Sequence, residues 1–378
     1  MPLRWRLKLD SVGLVSIIRF YPRAMTMGLT DEGTTEAETL RRLGSLIDDV
    51  EGTRVTLIGD VMLDRYHHGY ANNLNSTAPV PALRIIKSEE SPGAAAHIAR
   101  GLNSLGMDVD FFSCVGDDDE GSKILEKLSG DGISIQGISV VPNRKTLTKI
   151  RFYGSRESLL DQSQVLLQAD RGPLEELSES ISDGLIDAAL DSMPNSSAIV
   201  LSDYHKGVIT ESGASKLISK AKELDLPCIV DPKLTGLSRS KGADVVIFGM
   251  RGLELQRRRL MLDDLSDTAS ELIATYDWGA ILVLGGVDGI NLYLREGEEL
   301  SIPCRANAPR QQIGLHDAAA TALAAALGNG LDIYDAASLA AAACECVLTA
   351  ESSHEFVNRG TLGIWLEELS WKLQISDR

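Results

Sequence analysis

Between residues 198 and 249 the chain reads AIVLSD (198–203), an amphipathic stretch at 211–225, CIVDP (228–232) and VVIFG (245–249). Short apolar runs rich in Val and Ile, separated by helix-length segments, are what strands buried on both faces require. The pattern extends outward. Upstream, a capped amphipathic stretch at 34–50 leads into VTLIGD (55–60). Residues 92–106 predict a helix, 109–115 a strand, and 120–130 and 174–192 two further helices. Downstream, a helix at 264–276 precedes AILVLGG (280–286), and the Ala-rich stretch 318–350 predicts two packed helices broken at Gly328–Gly330. Strands alternating with helices predict an α/β fold with a mostly parallel central sheet covered on both faces. Residues 65–90 and 139–169 break the alternation: Asn, Ser and Pro punctuate short runs such as ALRIIKS (82–88), which predicts a small antiparallel sheet set apart from the main body.

The bulk properties narrow the function. With 44% hydrophobic and 24% charged residues in 378, the chain is globular rather than disordered or fibrous. Its net charge, 37 − 54 = −17, argues against broad attraction to nucleic acid or an anionic membrane. If such a protein binds phosphate, a few local cations and backbone amides must do it. The five cysteines (114, 228, 304, 344 and 346) include no C-x-x-C pair, which predicts reduced thiols in a cytoplasmic protein without a zinc or redox site. No apolar run reaches the 18 residues a membrane span needs. At the N-terminus, basic residues surround the apolar patch Gly13–Ile18, so residues 1–33 are read as an extension, either a targeting segment or an over-extended start. The main domain is expected at 34–350 and a helical tail at 351–378.

In open parallel sheets, ligands sit beyond the carboxyl ends of the strands. That directs attention to Asp60, Asp64, Asp203, Asp231 and Asp317. The most informative local segment is IGLHDAAATALAAAL (313–327), a Gly-containing turn, an Asp and a long Ala-rich helix. A helix N-terminus there offers free backbone N–H groups to an anion, including a transferring phosphoryl group. Asp317 can then act as a base toward an attacking hydroxyl, or it can be a plain N-capping Asp. The sequence contains neither a G-x-x-x-x-G-K-[ST] loop nor a G-x-G-x-x-G after a strand, so a nucleotide must be held by other means.

GDVMLDRY (59–66), APVP (78–81), PGAAA (92–96), VGDDDEG (115–121), LSDYHKG (201–207) and VDPK (230–233) occur in order. This ordered set resembles the ribokinase-like, PfkB-type sugar kinases, and within them the branch that phosphorylates C1 of a heptose 7-phosphate. The resemblance implies a three-layer α/β/α fold with a small β-sheet lid that also pairs two subunits into a homodimer. It implies ATP and Mg2+ as cofactors, and a sugar or sugar phosphate as the acceptor. By the same resemblance Asp317 is the catalytic base and Gly314 the first glycine of its anion hole. Asp64 and Gly93 lie on the sugar side, and Lys149, Arg151, Asp203 and Lys206 line the substrate. Lys233, Gly286 and Gly289 belong to the nucleotide side.

The chain also departs from the family's pattern. His316 stands at the second glycine of the anion hole, where a side chain replaces backbone and any positive φ would be penalised; a protonated His316 would instead add a cation. Ala94 and His205 replace two further glycines, and His97 replaces a sugar-binding Asn. Met250 and Leu253 stand in an Asn-x-x-Glu motif that supports the metal, leaving Glu254, one residue away, as the candidate metal ligand. Three functional expectations result: an ATP-dependent sugar or sugar-phosphate kinase, a pseudokinase that binds a sugar phosphate or nucleotide or serves as a dimeric partner, or a kinase of a nucleoside or other small alcohol.

Overall fold

The structure, a computed structural model, describes residues 32–155, 163–306, 309–352 and 355–376. The expected N-terminal extension therefore lies outside the described residues, apart from residues 32 and 33. The chain opens with α1 (Glu32–Asp49), β1 (Arg54–Gly59), β2 (Val61–Leu74), β3 (Pro81–Ala94), α2 (Ala95–Ser104), β4 (Asp108–Gly116), α3 (Asp119–Gly130) and β5 (Ile138–Val141). It continues through β6 (Thr148–Ser155), β7 (Gln164–Arg171), α4 (Glu179–Ser192), β8 (Ala198–Asp203), α5 (Glu211–Leu224), β9 (Cys228–Pro232), β10 (Val245–Gly249), α6 (Met250–Leu260) and α7 (Leu265–Tyr276). It ends with β11 (Ala280–Leu284), β12 (Ile290–Leu294), β13 (Glu299–Ile302), α8 (Leu315–Gly328), α9 (Ile333–Thr349) and α10 (Arg359–Ser376).

A nine-stranded sheet of order β13-β12-β11-β10-β9-β8-β1-β4-β5 forms the body. The strands from β11 to β5 in that order pair in parallel, and only β12 and β13 join antiparallel. Side chains alternate between the two faces, as strand geometry requires. Leu57, Val200, Ile229 and Ile247 face a core shared with α1, α2, α8, α9 and α10, whereas Ile58, Leu201, Val230 and Phe248 face one shared with α4, α5 and α7. Residues 357–369 of the C-terminal segment contribute Val357, Leu362, Leu366 and Leu369 to the first of these cores. Helix α8 is buried on nearly every side. Its alanines let it approach closely, and a Cβ added at Gly101 of α2 would stand 2.7 Å from Thr321 Oγ1 on α8.

A second sheet, of order β3-β2-β6-β7, sits at the carboxyl end of the first. The expectation that it is wholly antiparallel is corrected: β2 and β6 run parallel, flanked by antiparallel pairs. Its membership is also redrawn. Residues 138–141 pair with β4 in the main sheet, and β3 continues to Ala94, so α2 begins at 95 rather than 92. Residues 156–162, within the expected lid, lie outside the described residues. Helix α6 and the strands β12 and β13 were not anticipated.

The chain leaves β1 in one direction toward β4 and β5, then returns to build β8 to β11 on the other side. This reversal at β1 and β8 is the switch point at which a parallel sheet opens a crevice beyond its strand ends. Asp60 and Asp203 stand at those two ends. Cys114, Cys228, Cys344 and Cys346 are buried, and Cys304 is half-buried.

Candidate active site

Asp60 follows β1 and is 1% exposed. Its carboxylate accepts from the backbone N–H groups of Tyr204 (3.0 Å), Lys206 (3.0 Å) and Val208 (3.3 Å), and its carbonyl accepts from Ala95 N–H (3.1 Å). One residue thus holds both the loop after β8 and the junction between β3 and α2. Burial, and then the neighbouring Asp203, push the Asp60 carboxyl up to about 6, against the pull of the three N–H groups.

Two of the replaced glycines lie in the segments Asp60 holds. Ala94 has φ 55 and ψ −131, and His205 has φ 58. Both keep a backbone conformation that glycine adopts more readily than any other residue. His316 behaves differently. It lies inside the first turn of α8 with no positive φ, and Gly314, at φ 88, is the residue in the left-handed region. The backbone penalty expected at His316 is therefore absent, and its ring turns to Asp231, with Nδ1 2.7 Å from Oδ1.

The N-capping alternative for Asp317 is also removed: Gly314 occupies the N-cap position, and Asp317 lies three residues further into α8. The Asp317 side chain is buried. Oδ1 has no hydrogen-bond partner among the described residues, and Oδ2 is 3.3 Å from Nδ1 of buried His97. The first-turn N–H groups of a helix have no partner within it. No side chain caps this end, so an anion acceptor is the chemistry it lacks.

On the small sheet, Asp64 of β2 lies beside β6, and its Oδ1 accepts from the Arg151 guanidinium at 2.7 Å. Lys149 and Arg151 are two apart on β6 and share a face. Burial lowers the Lys149 pKa against the raising effect of Asp64. Gly93 is needed because a Cβ there would overlap the Asp64 carboxylate, so the group it accommodates in this structure is Asp64 itself. Tyr204 joins the two halves. The ammonium of Lys233 lies 3.8 Å from its ring centroid and that of Lys149 6.0 Å. Burial, followed by the charges of Asp317, Asp231 and Asp64, raises its phenol far above the usual value.

Asp64, Gly93, Lys149, Arg151, Lys233, Gly314, His316 and Asp317 therefore converge around Tyr204, Asp231 and His97. Sequence reasoning assigned Tyr204 no role although it lies in the quoted LSDYHKG. It read His97 only as a lost Asn. Gly286, at φ 65, faces Gln312 and Leu315 beside the start of α8, which brings the 285–289 turn to this site. Gly289 is required by the backbone, since a Cβ there would overlap the Ile302 carbonyl of β13.

Other expected residues are placed differently. Asp203 is 1% exposed, with one oxygen on His205 N–H and the other on Arg239 Nε at 2.6 Å, so its role here is to hold the loop. The Lys206 side chain is exposed, and only its backbone is fixed by the bonds described. Glu254 is the clearest misfit. Both its oxygens accept from Arg257, and Arg258 adds a third bond, which together hold its carboxyl down to about 2. No group of three metal-ligating side chains occurs among the described residues. A magnesium ion held through Glu254 does not fit this arrangement.

Residues 53–358 match the profile of the pfkB family carbohydrate kinases. The bifunctional protein HldE of Coxiella burnetii is 32% identical over 292 residues, 77% of this chain and 59% of that protein. The protein of the same name from Paramagnetospirillum magneticum is 33% identical over 314 residues, 82% of this chain and 63% of that protein. The chain thus spans about three fifths of the length of these relatives. Among solved structures, phosphofructokinase-2 from Escherichia coli in complex with substrates and products aligns with a TM-score of 0.68 at 16% identity, covering 84% of this chain and 99% of that one. Arabidopsis thaliana ribokinase complexed with ribose and ATP aligns at 0.63 and 16%, with the same coverages. At these identities the structural likeness speaks for the fold. No helix among the described residues is long and apolar enough to cross a membrane.

Proposed function

The chain belongs to the pfkB family of carbohydrate kinases, and from that premise we propose that it transfers the γ-phosphoryl group of ATP to a hydroxyl of a sugar phosphate, with C1 of a heptose 7-phosphate as the leading candidate. The observation that carries this reading is Asp317: a buried carboxylate with an unpartnered oxygen, in the first turn of a helix whose N-terminus nothing caps.

In this reading Asp317 Oδ1 accepts the proton of the attacking hydroxyl while His97 holds Oδ2. Asp64, oriented by Arg151, accepts hydrogen bonds from sugar hydroxyls, and Lys149 faces the acceptor's phosphate. The 285–289 turn and Lys233 receive the nucleotide. The N–H groups at the start of α8 stabilise charge on the transferring group, so positioning and electrostatics supply most of the rate. Magnesium would arrive with ATP and neutralise phosphate charge. Since Glu254 is engaged by two guanidinium groups, no step is assigned to a protein-held ion.

The kinase unit is assigned to 34–350, with α10 (Arg359–Ser376) packed on it. Ile85, Ile86, Val165 and Leu167 of the small sheet, 47% to 58% exposed, provide the apolar surface for a second subunit. The engaged Glu254 favours the alternative, a protein that binds these ligands without transferring phosphate.

The deciding experiment is ADP release with Mg-ATP and a panel of sugar phosphates that includes D-glycero-β-D-manno-heptose 7-phosphate. Turnover should fall by at least about 10³-fold in Asp317→Asn while ATP affinity holds. An unimpaired variant would remove Asp317 as the base. A folded wild type that turns over no acceptor would establish the binding protein instead.

A further inference from the structure

We propose that His316 is a phosphate-contacting catalytic residue, an imidazolium that supplies from its side chain the positive charge at the mouth of α8, where the family's pattern offers only backbone. This inference deepens the kinase reading and rests on it for the identity of the anion.

The geometry sets the roles of the two ring nitrogens. Nδ1 is 2.7 Å from Oδ1 of Asp231, a carboxylate whose side chain is only 4% exposed, so the proton on Nδ1 is committed to that bond. Nε2 is then the outward end. The ring is 38% exposed, and Nε2 lies 3.3 Å from the position a Cβ would take at Gly249, at the carboxyl end of β10. Glycine at 249 is thus what makes room for the ring.

The surrounding charges give His316 its function. From β9 it faces Asp231, and just beyond that strand Lys233. Its own helix contributes Asp317, and from β10 the backbone of Gly249 lies against the ring. Tyr204, next to both carboxylates, is neutral at physiological pH. With His316 protonated, two carboxylates are matched by two cations, and an arriving phosphoryl group meets a neutral cluster at the positive end of a helix. With His316 neutral, the cluster carries one net negative charge and repels the same group. Burial pulls the ring toward neutrality, but the charge of Asp231 and its hydrogen bond outweigh this and raise the pKa above the ordinary imidazole value. The unpartnered, buried Oδ1 of Asp317 is a second and independent sign that this end of α8 is built to receive something.

A purely structural His316, present only to satisfy Asp231, would be replaced without loss by any neutral donor. The test therefore compares His316→Gln, which keeps a donor for Asp231 without charge, with His316→Lys, which keeps the charge. The probe is the non-hydrolysable ATP analogue AMP-PNP, so no acceptor or turnover is needed. Its affinity for the full chain is measured by calorimetry from pH 5.5 to 8.5. Since the analogue's own titration is common to all proteins, the quantity read is the ratio of each variant to wild type. A charge-assisted hydrogen bond is worth about tenfold or more in affinity. Wild type should hold that advantage over His316→Gln at low pH and lose it as pH rises through the His316 pKa. His316→Lys should keep it at pH 8.5. A ratio between wild type and His316→Gln that does not change with pH overturns the proposal, as does a wild type that fails to bind AMP-PNP at any pH. Intact pH-dependent binding with no transfer to any acceptor would sink the kinase reading and its catalytic role for His316, and leave His316 as a phosphate-binding residue.

Discussion

The junction at Ala94 and the entrance to α8 at His316 both carry a side chain where the family's pattern has glycine, and they absorb it in opposite ways. At Ala94, and at His205 across the crevice, the backbone keeps the glycine-like conformation and the residue bears the strain. At His316 the backbone is ordinary helix, and the side chain is directed into a bond with Asp231. The difference lies in what surrounds each site. His205 is bracketed by the Tyr204 and Lys206 N–H bonds to the Asp60 carboxylate, and Ala94 is held by the Ala95 N–H bond to the Asp60 carbonyl and by its pairing with Val61 of β2. Strain of this kind persists where the neighbourhood over-determines it. His316 has no such bracket and has Gly314 beside it to take the unusual φ.

The strongest way to break this comparison is to weaken Asp60. The folded protein holds a proton on Asp60 more tightly than the unfolded chain, at about 6 against 3.8. The residue's pH-linked contribution is therefore full below 3.8 and is lost as pH rises to about 6, on the order of 3 kcal/mol. Between pH 4.5 and 6.5, urea unfolding should show roughly 2 kcal/mol more loss of stability in wild type than in Asp60→Asn. Equal slopes would mean Asp60 is not the anchor.

Gly93 and Ala94 are neighbours, and they sharpen the comparison by giving opposite results. Gly93→Ala places a methyl on the Asp64 carboxylate and should cost about 2 kcal/mol while raising the KM for the sugar, because Asp64 must leave Arg151. Ala94→Gly should do the reverse and stabilise the fold by about 1 kcal/mol, read as a higher melting temperature. The same change at His316 should relieve nothing and cost about 1 kcal/mol, as glycine does in a helix. If Ala94→Gly and His316→Gly moved stability in the same direction, the contrast between the two regions would fail.

The central strands were legible because β1, β8, β9, β10 and β11 are buried on both faces and read as unbroken apolar runs. Helix α6 was not, since MRGLELQRRRL buries only Leu253 and Gln256 and has no apolar stripe to recognise. The hairpin of β12 and β13 is short and lies at an edge, where little burial shapes the sequence. The parallel pairing of β2 with β6 is decided by tertiary placement, which local alternation does not encode. At the site, the motif residues Asp64 and Asp317 could be named from the sequence, but their partners could not. Arg151 and His97 reach them across long stretches of chain, and Arg239, which engages Asp203, carries no local signal. His316 is the instructive case: a departure that looked costly to the backbone proves to be a side-chain matter, visible only once Asp231 is beside it.

The cysteines carry a consequence of a different kind. Burial pushes the Cys114 thiol up to about 11 and Cys346 up to about 12, and raises Cys228 and Cys344 as well. Reactivity belongs to the thiolate, which for Cys346 is about one part in 10⁵ at pH 7. The native protein is thus nearly silent to alkylating reagents at these four positions, and the rate at which each becomes labelled is a clock for the opening of β4, β9 or α9.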